Sequence, residues 1–175
     1  ELEGGAMTGG PYAQYGPKLR VIFPGWTGGG NWNGSAFNPN LGFLFTPTQD
    51  VGMLNKMVKS DRLENMWVRR GPDNAPRMLG TNFWDGTKSW PCQQPPWGEL
   101  VAVNVNTGDV AWRVPLGSFE ELDALDVPAT GTPNRGGPIA TAGGLVFIAA
   151  SQDARFRAFD ARTGNLTLLI VLLLL

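Results

Sequence analysis

The sequence predicts an all-β fold of short, repeated antiparallel units, and three observations lead there. The chain has 175 residues, enough for one ordinary domain with a buried core. It carries 24 Gly and 14 Pro, a density of turn-formers that suits many short strands better than long helices. Hydrophobic residues make up 42 % and there are 7 Trp, which argues for a packed core rather than disorder. The third observation is an internal repeat. Ala36-Phe37-Asn38-Pro39-Asn40-Leu41-Gly42, Ala102-Val103-Asn104-Val105-Asn106-Thr107-Gly108 and Ala158-Phe159-Asp160-Ala161-Arg162-Thr163-Gly164 share one pattern. Each reads as a strand, a tight turn and a return strand. Asn or Asp caps the turn through its side chain and the Gly supplies the positive φ.

The elements follow from that pattern. Leu100–Val103 and Leu145–Ala150 are β-rich runs bounded by glycines, and Arg155–Phe159 alternates polar and apolar as a half-buried strand does. Ala142-Gly143-Gly144 is a hairpin lead-in. Repeated hairpins with a Gly turn and a closing Trp describe blades of a β-propeller, each a four-stranded antiparallel sheet of about 40–50 residues. Three to four such blades fit the chain, so the expected architecture is a partial propeller with exposed sheet edges. The repeat starts at residues 36, 102 and 158, and the irregular spacing puts a long inter-strand excursion at 55–96. The propeller region is 1–164. The apolar run 165–175 is too short for a spanning helix, which needs about 20 residues. It reads either as a buried strand or as a chain end altered by truncation or a reading-frame change.

Composition also excludes functions. The net charge is −1, so there is no electrostatic footprint for nucleic acid. Arg69-Arg70 is a local pair expected in a solvated loop. One cysteine, Cys92, excludes an intrachain disulfide. With no histidine, a Ser-His-Asp triad, a Cys-His dyad and the usual zinc sites are excluded within this chain. Chemistry must rest on carboxylates, amides, Arg, Lys or a cofactor. The chain opens on Glu1 without an initiator Met or a basic n-region, and no signal peptide is expected in it.

Three further segments carry a family resemblance. Gly28-Gly29-Gly30-Asn31-Trp32-Asn33-Gly34, followed by Ala36-Phe37-Asn38-Pro39, resembles the Gly-Gly-x-Asn-Trp segment of pyrroloquinoline quinone (PQQ)-dependent dehydrogenases of alcohols and glucose. Cys92 through Asn104 resembles their proline-tryptophan-glycine lead-in to a blade, and Asn134 through Phe147 the segment before a late blade. Ala102 through Trp112 is similar to the family's tryptophan-docking repeat, whose Trp packs between neighbouring blades. The likeness runs in order from about residue 11 to 164.

The resemblance implies a C-terminal piece of an eight-bladed quinoprotein propeller with PQQ on the axis beside a calcium ion. It implies an oxidoreductase that oxidises a sugar or alcohol by hydride transfer to PQQ, periplasmic or periplasm-facing, with a respiratory quinone or cytochrome as electron acceptor. The remaining blades of a longer protein are expected partners. Asn31 matches the amide that hydrogen-bonds the quinone edge. Trp32 either lines the cofactor pocket or is a core indole. Arg135 stands where some relatives carry a Trp near the cofactor, and is placed either to pair with a PQQ carboxylate or in a solvated loop. On the residues alone Asn31 also reads as a turn cap after three glycines. No catalytic residue and no metal ligand is assigned, because the family's catalytic Asp and calcium-binding carboxylate lie upstream of the matched region. Asp50, Asp85 and Asp153 read as loop carboxylates. Asn104 replaces the usual Asp of the repeat, and Leu168 stands where a docking Trp is expected. A second reading, a non-catalytic PQQ-repeat scaffold such as an outer-membrane assembly factor, shares the repeats but not the Gly-Gly-x-Asn-Trp segment.

Overall fold

A computed structural model of the chain describes residues 14, 16–25, 28–71, 74, 90–127, 130–149 and 151–171. Asp85 and part of the 55–96 stretch lie outside the described residues. The chain divides into two compact units, Glu1–Trp26 with Val51–Gln94, and Thr27–Asp50 with Pro95–Leu175. The fold is all-β, with three antiparallel sheets among the described residues, and the one described helix is a single turn, α1 (Glu120–Asp123).

The first unit holds the three-stranded sheet of β1 (Arg20–Ile22), β4 (Met53–Lys59) and β5 (Trp67–Arg70), with β4 in the middle. Arg69 and Arg70 therefore lie on a strand and are half-buried, not in a solvated loop. In register they stand opposite Met57 and Lys56 of β4. Residues 55–96 are likewise more than a loop, since they contain most of β4 and all of β5.

The second unit is built of two four-stranded sheets that are copies of one plan. The first joins β2 (Ala36–Asn38), β3 (Phe43–Gln49), β6 (Gly98–Asn104) and β7 (Val110–Pro115) in that order. The second joins β8 (Ile139–Ala140), β9 (Leu145–Ile148), β10 (Arg155–Asp160) and β11 (Leu166–Val171). Ala36, Phe45, Ala102 and Trp112 stand opposite one another across the first sheet. Ile139, Phe147, Ala158 and Leu168 occupy the same row of the second. Both sheets carry a register shift just past that row, at Ala102/Val103 and Ala158/Phe159.

The repeated turns form as the sequence pattern dictates. Asn38 Oδ1 accepts the amides of Asn40 and Leu41, and Asn104 Oδ1 that of Asn106. Asp160 Oδ1 accepts the amides of Arg162 and Thr163 at 2.9 Å each. In each turn the Gly amide donates back to the carbonyl of the capping residue, and Gly42, Gly108 and Gly164 have φ of 67°, 82° and 73°. A side chain there is strained, which is why the pattern ends in Gly. The turns are not three equivalents, however. Gly42 closes the turn between the first two strands of its sheet, whereas Gly108 and Gly164 close the last. The irregular spacing has this second cause, besides the segment 50–97 inserted between β3 and β6.

Between the two sheets lies the core: Phe45, Leu100, Ala102 and Leu116 from one side meet Val146, Ile148, Phe159 and Ala161 from the other. Trp112 locks this interface. Its indole N–H donates to the Ala161 carbonyl at 3.1 Å, and its ring lies 5.6 Å from that of Phe45. The ring covers Gly164, where an added Cβ would sit 2.8 Å from it. Glycine at this turn thus serves two needs, the positive φ and the docked indole. Gly98 has a different reason: a Cβ there would strike the Thr132 backbone, so the Trp97-Gly98 lead-in lets two chains cross closely.

Of the stretch 165–175, Leu166–Val171 forms β11, an edge strand of the second sheet with all six residues exposed, so the strand reading holds for these residues without the burial.

Candidate functional site

The glycine-rich segment 28–34 forms the loop leading into β2, and 134–137 leads into β8 in the corresponding place of the next sheet. Three glycines and the turn at Gly34 (φ 75°) keep the first loop on the surface instead of continuing a strand. The Gly29 carbonyl accepts the Gln49 amide at 2.7 Å and ties it to β3. The two loops are joined: Asn33 Nδ2 donates to the Gly136 carbonyl at 3.0 Å. Gly137 lies so close to the Asn33 carbonyl that a Cβ would collide with it. A backbone bridge from Asn134 to Ser151 holds the second loop from below.

All three residues expected at a cofactor site sit on this pair of loops, and all three are exposed. Asn31 Oδ1 accepts the Trp32 amide at 2.7 Å, and the bond fixes its amide plane. Trp32 is 89 % exposed and is therefore not a core indole; the indole between sheets is Trp112. Arg135 projects from the second loop between buried Asn134 and Gly136.

A narrow cleft lies at the foot of the loops, lined by Gly29, Asn31, Asn33, Thr48, Gln49 and Asn134 among others. Two polar atoms in its walls, Asn33 Oδ1 and Asn134 Nδ2, are buried without a hydrogen-bond partner. Buried amides are seldom left so. Sequence reasoning singled out neither residue. The only available signal was that each flanks a glycine-rich segment already in view.

Asp153 is a loop carboxylate with a structural role. It is a buried hub in the turn between β9 and β10. Arg157 forms a two-pronged ion pair with it, Ser151 Oγ donates at 2.7 Å, and the Ser118 amide donates at 3.1 Å from the connection beyond β7. Burial alone raises its pKa, but the bonds from Arg157 and Ser151, the Arg157 charge and the Arg155 amide hold it below the usual carboxylate range. The Asp160 carboxyl is also held low, first by the Thr163 and Arg162 amides of its turn. Both shifts belong to structure, not to the cleft. Among the described residues no three His, Cys, Asp or Glu side chains converge to hold a metal.

Comparison with known proteins decides the family. The model of the PQQ-containing glucose/ethanol/alcohol dehydrogenase β-propeller domain matches residues 4–172. The chain belongs to this quinoprotein propeller family. The quinate/shikimate dehydrogenase (quinone) of Acinetobacter baylyi is 32 % identical over 173 residues, covering 89 % of this chain and 21 % of that protein. The glycerol dehydrogenase large subunit of Gluconobacter oxydans is 32 % identical over 172 residues, covering 85 % and 23 %. The crystal structure of quinohemoprotein alcohol dehydrogenase from Comamonas testosteroni superposes with a TM-score of 0.58 at 26 % identity, over 89 % of this chain and 20 % of that one. The quinoprotein chain thus spans about a fifth of the length of these relatives.

The surface groups fit PQQ, a planar quinone bearing carboxylates. The loops present an amide, an exposed indole face and a guanidinium, and the glycines allow a flat ligand to approach the backbone.

Proposed function

We propose that this chain is part of a quinoprotein oxidoreductase that oxidises a sugar or alcohol, and that loops 28–34 and 134–137 form part of its PQQ site. The single observation that carries this reading is the Asn33–Gly136 bond, which brings Asn31, Trp32 and Arg135 onto one pair of exposed, mutually braced loops. Similarity to dehydrogenases of quinate or shikimate, glycerol and alcohol supports the substrate class.

When bound, PQQ supplies a quinone that accepts a hydride from the alcohol carbon. The residues here bind and orient it. Asn31, its amide plane fixed by the Trp32 amide, donates toward the quinone edge where negative charge develops, without needing a proton of its own. Trp32 offers a flat apolar surface to the ring system. Arg135 pairs with a carboxylate of the cofactor through its planar, two-pronged guanidinium. Asn33 braces the two loops so that these groups keep their spacing.

Calcium ligands and the catalytic base belong to other parts of the longer protein, as do the remaining blades. The electron acceptor is a respiratory quinone or cytochrome, and the location is periplasmic or periplasm-facing. No helix among the described residues is long and apolar enough to cross a membrane. The propeller portion is 1–164 together with β11, the edge strand of the second sheet, and 55–96 is its inserted excursion. The test is dye-linked turnover of the full-length protein with PQQ, calcium and a panel of sugars and alcohols. Turnover that requires PQQ supports the reading, and turnover without PQQ or none on any alcohol refutes it.

A further inference from the structure

We infer that the buried Arg157 and Ser151 are positioning residues for the cofactor arm Arg135, acting through the buried strap 130–134 from which that arm projects. The inference rests on the cofactor reading of loop 134–137 and deepens it.

An exposed guanidinium on a long side chain is aimed by the backbone that carries it. After Arg135 the chain continues as Gly136-Gly137, and glycine restrains φ and ψ least. The Asn33 bond to the Gly136 carbonyl is the tie on that side. Before Arg135 the chain is buried: Thr130 is 2 % exposed, Thr132 0 % and Asn134 4 %.

Both sheets grip this strap. From the first, the Trp97 amide donates to the Thr130 carbonyl at 2.7 Å, and the Thr132 amide donates to the Leu116 carbonyl at 2.8 Å. A Cβ added at Gly131 would collide with the Gly98 backbone, so strap and sheet meet backbone to backbone. From the second, the Gln152 amide donates to Thr132 Oγ1 at 3.2 Å, and Ser151 forms the backbone bridge to Asn134.

Ser151 and Gln152 lie in a turn, outside the ladders of β9 and β10. Arg157 carries the rigidity of the sheet to them. Its backbone is held on both sides, opposite Ile148 of β9 and Leu169 of β11. Its buried guanidinium donates to Ser151 Oγ at 2.9 Å and to Asp153 Oδ1 at 3.1 Å, while Ser151 Oγ donates to Asp153 Oδ1 at 2.7 Å. Each of the three side chains thus fixes the other two. A buried ion pair adds little net stability over well-packed apolar side chains of similar volume. What this one supplies is a fixed place for Ser151 and, through the bridge, for Asn134, the residue before Arg135.

A double-mutant cycle on the PQQ affinity of the calcium-loaded full-length apoprotein tests this. Ser151→Ala removes the hydroxyl and leaves the Asp153–Arg157 pair in place. It should weaken PQQ binding about fivefold, with thermal unfolding of the apoprotein unchanged. The same substitution in the Arg135→Ala background should change affinity by less than about twofold, because no arm is left to aim. Thr132→Val removes the acceptor of the Gln152 tie, should give the same pattern, and serves if Ser151→Ala does not fold. Wild-type affinity in Arg135→Ala refutes the cofactor reading and this inference with it. Two other results overturn the positioning role alone. One is weakened binding in Arg135→Ala beside wild-type affinity in Ser151→Ala and Thr132→Val; the other is losses in those two variants that persist undiminished in the Arg135→Ala background.

Discussion

Removing the Trp112 indole should loosen the two sheets without touching the cofactor loops. Trp112 is half-buried, contacts Phe45 and the Gly164 turn, and donates to a carbonyl whose own residue is fully buried. Truncating a fully buried Trp to Ala costs about 3–5 kcal/mol, so a half-buried one costs less from lost packing alone. The Ala161 carbonyl then loses its donor, which adds about 1 kcal/mol or more if water does not reach it. Together these give about 3 kcal/mol for Trp112→Ala. Trp112→Phe keeps most of the packing and removes only the N–H, for about 1 kcal/mol. Urea unfolding followed by far-ultraviolet circular dichroism reads both, with 1 kcal/mol corresponding to roughly 2–4 °C in Tm at this chain length. Two findings refute the docking argument. One is Trp112→Ala falling within about 0.5 kcal/mol of wild type, the usual range for a surface substitution; the other is Trp112→Phe costing as much as Trp112→Ala.

Other expectations follow from the same contacts. Gly164→Ala suffers both a positive φ and the Trp112 ring, whereas Gly108→Ala suffers the φ alone, about 1–2 kcal/mol; equal losses in a denaturation assay would deny the docked ring. The Asp153 pKa is lower folded than unfolded, so its contribution is present above about pH 3.9 and is lost as pH falls through the folded value. Asp153→Asn should therefore cost about 3–5 kcal/mol at neutral pH by stranding Arg157, and flatten the acid limb of the stability–pH curve. In the full-length protein, Asn31→Ala should lower turnover by about a hundredfold with stability unchanged, the usual worth of one oxyanion-type donor. The 175-residue chain alone, given PQQ, calcium and an alcohol panel, should show no sustained dye reduction.

Local rules made much of the fold legible. The Asn/Asp-to-Gly spacing specifies a turn by chemistry that needs no distant partner, and all three turns formed. Trp112 was legible through the resemblance to a tryptophan-docking repeat, and it stands opposite Ala102 on the facing strand. What the pattern could not convey was where in each sheet a turn falls, because the first turn of one sheet and the last of another look alike locally. Asp153 was hidden for a related reason: its partners Ser118 and Arg157 meet it only through tertiary packing. The exposure of β11 was not legible, because apolar composition states a preference, not the presence of something to pack against. At the site, Asn31, Trp32 and Arg135 came from resemblance, whereas Asn33 as the brace between loops needed coordinates.

The central claim is that these loops hold PQQ, and binding tests it more directly than turnover. The measurement is a PQQ titration of the calcium-loaded full-length apoprotein, comparing wild type with Asn31→Ala and Arg135→Ala. Weakening of affinity by about tenfold or more in each variant, with unchanged thermal unfolding of the apoprotein, is the predicted result. Wild-type affinity in both variants would place the cofactor elsewhere and contradict the account.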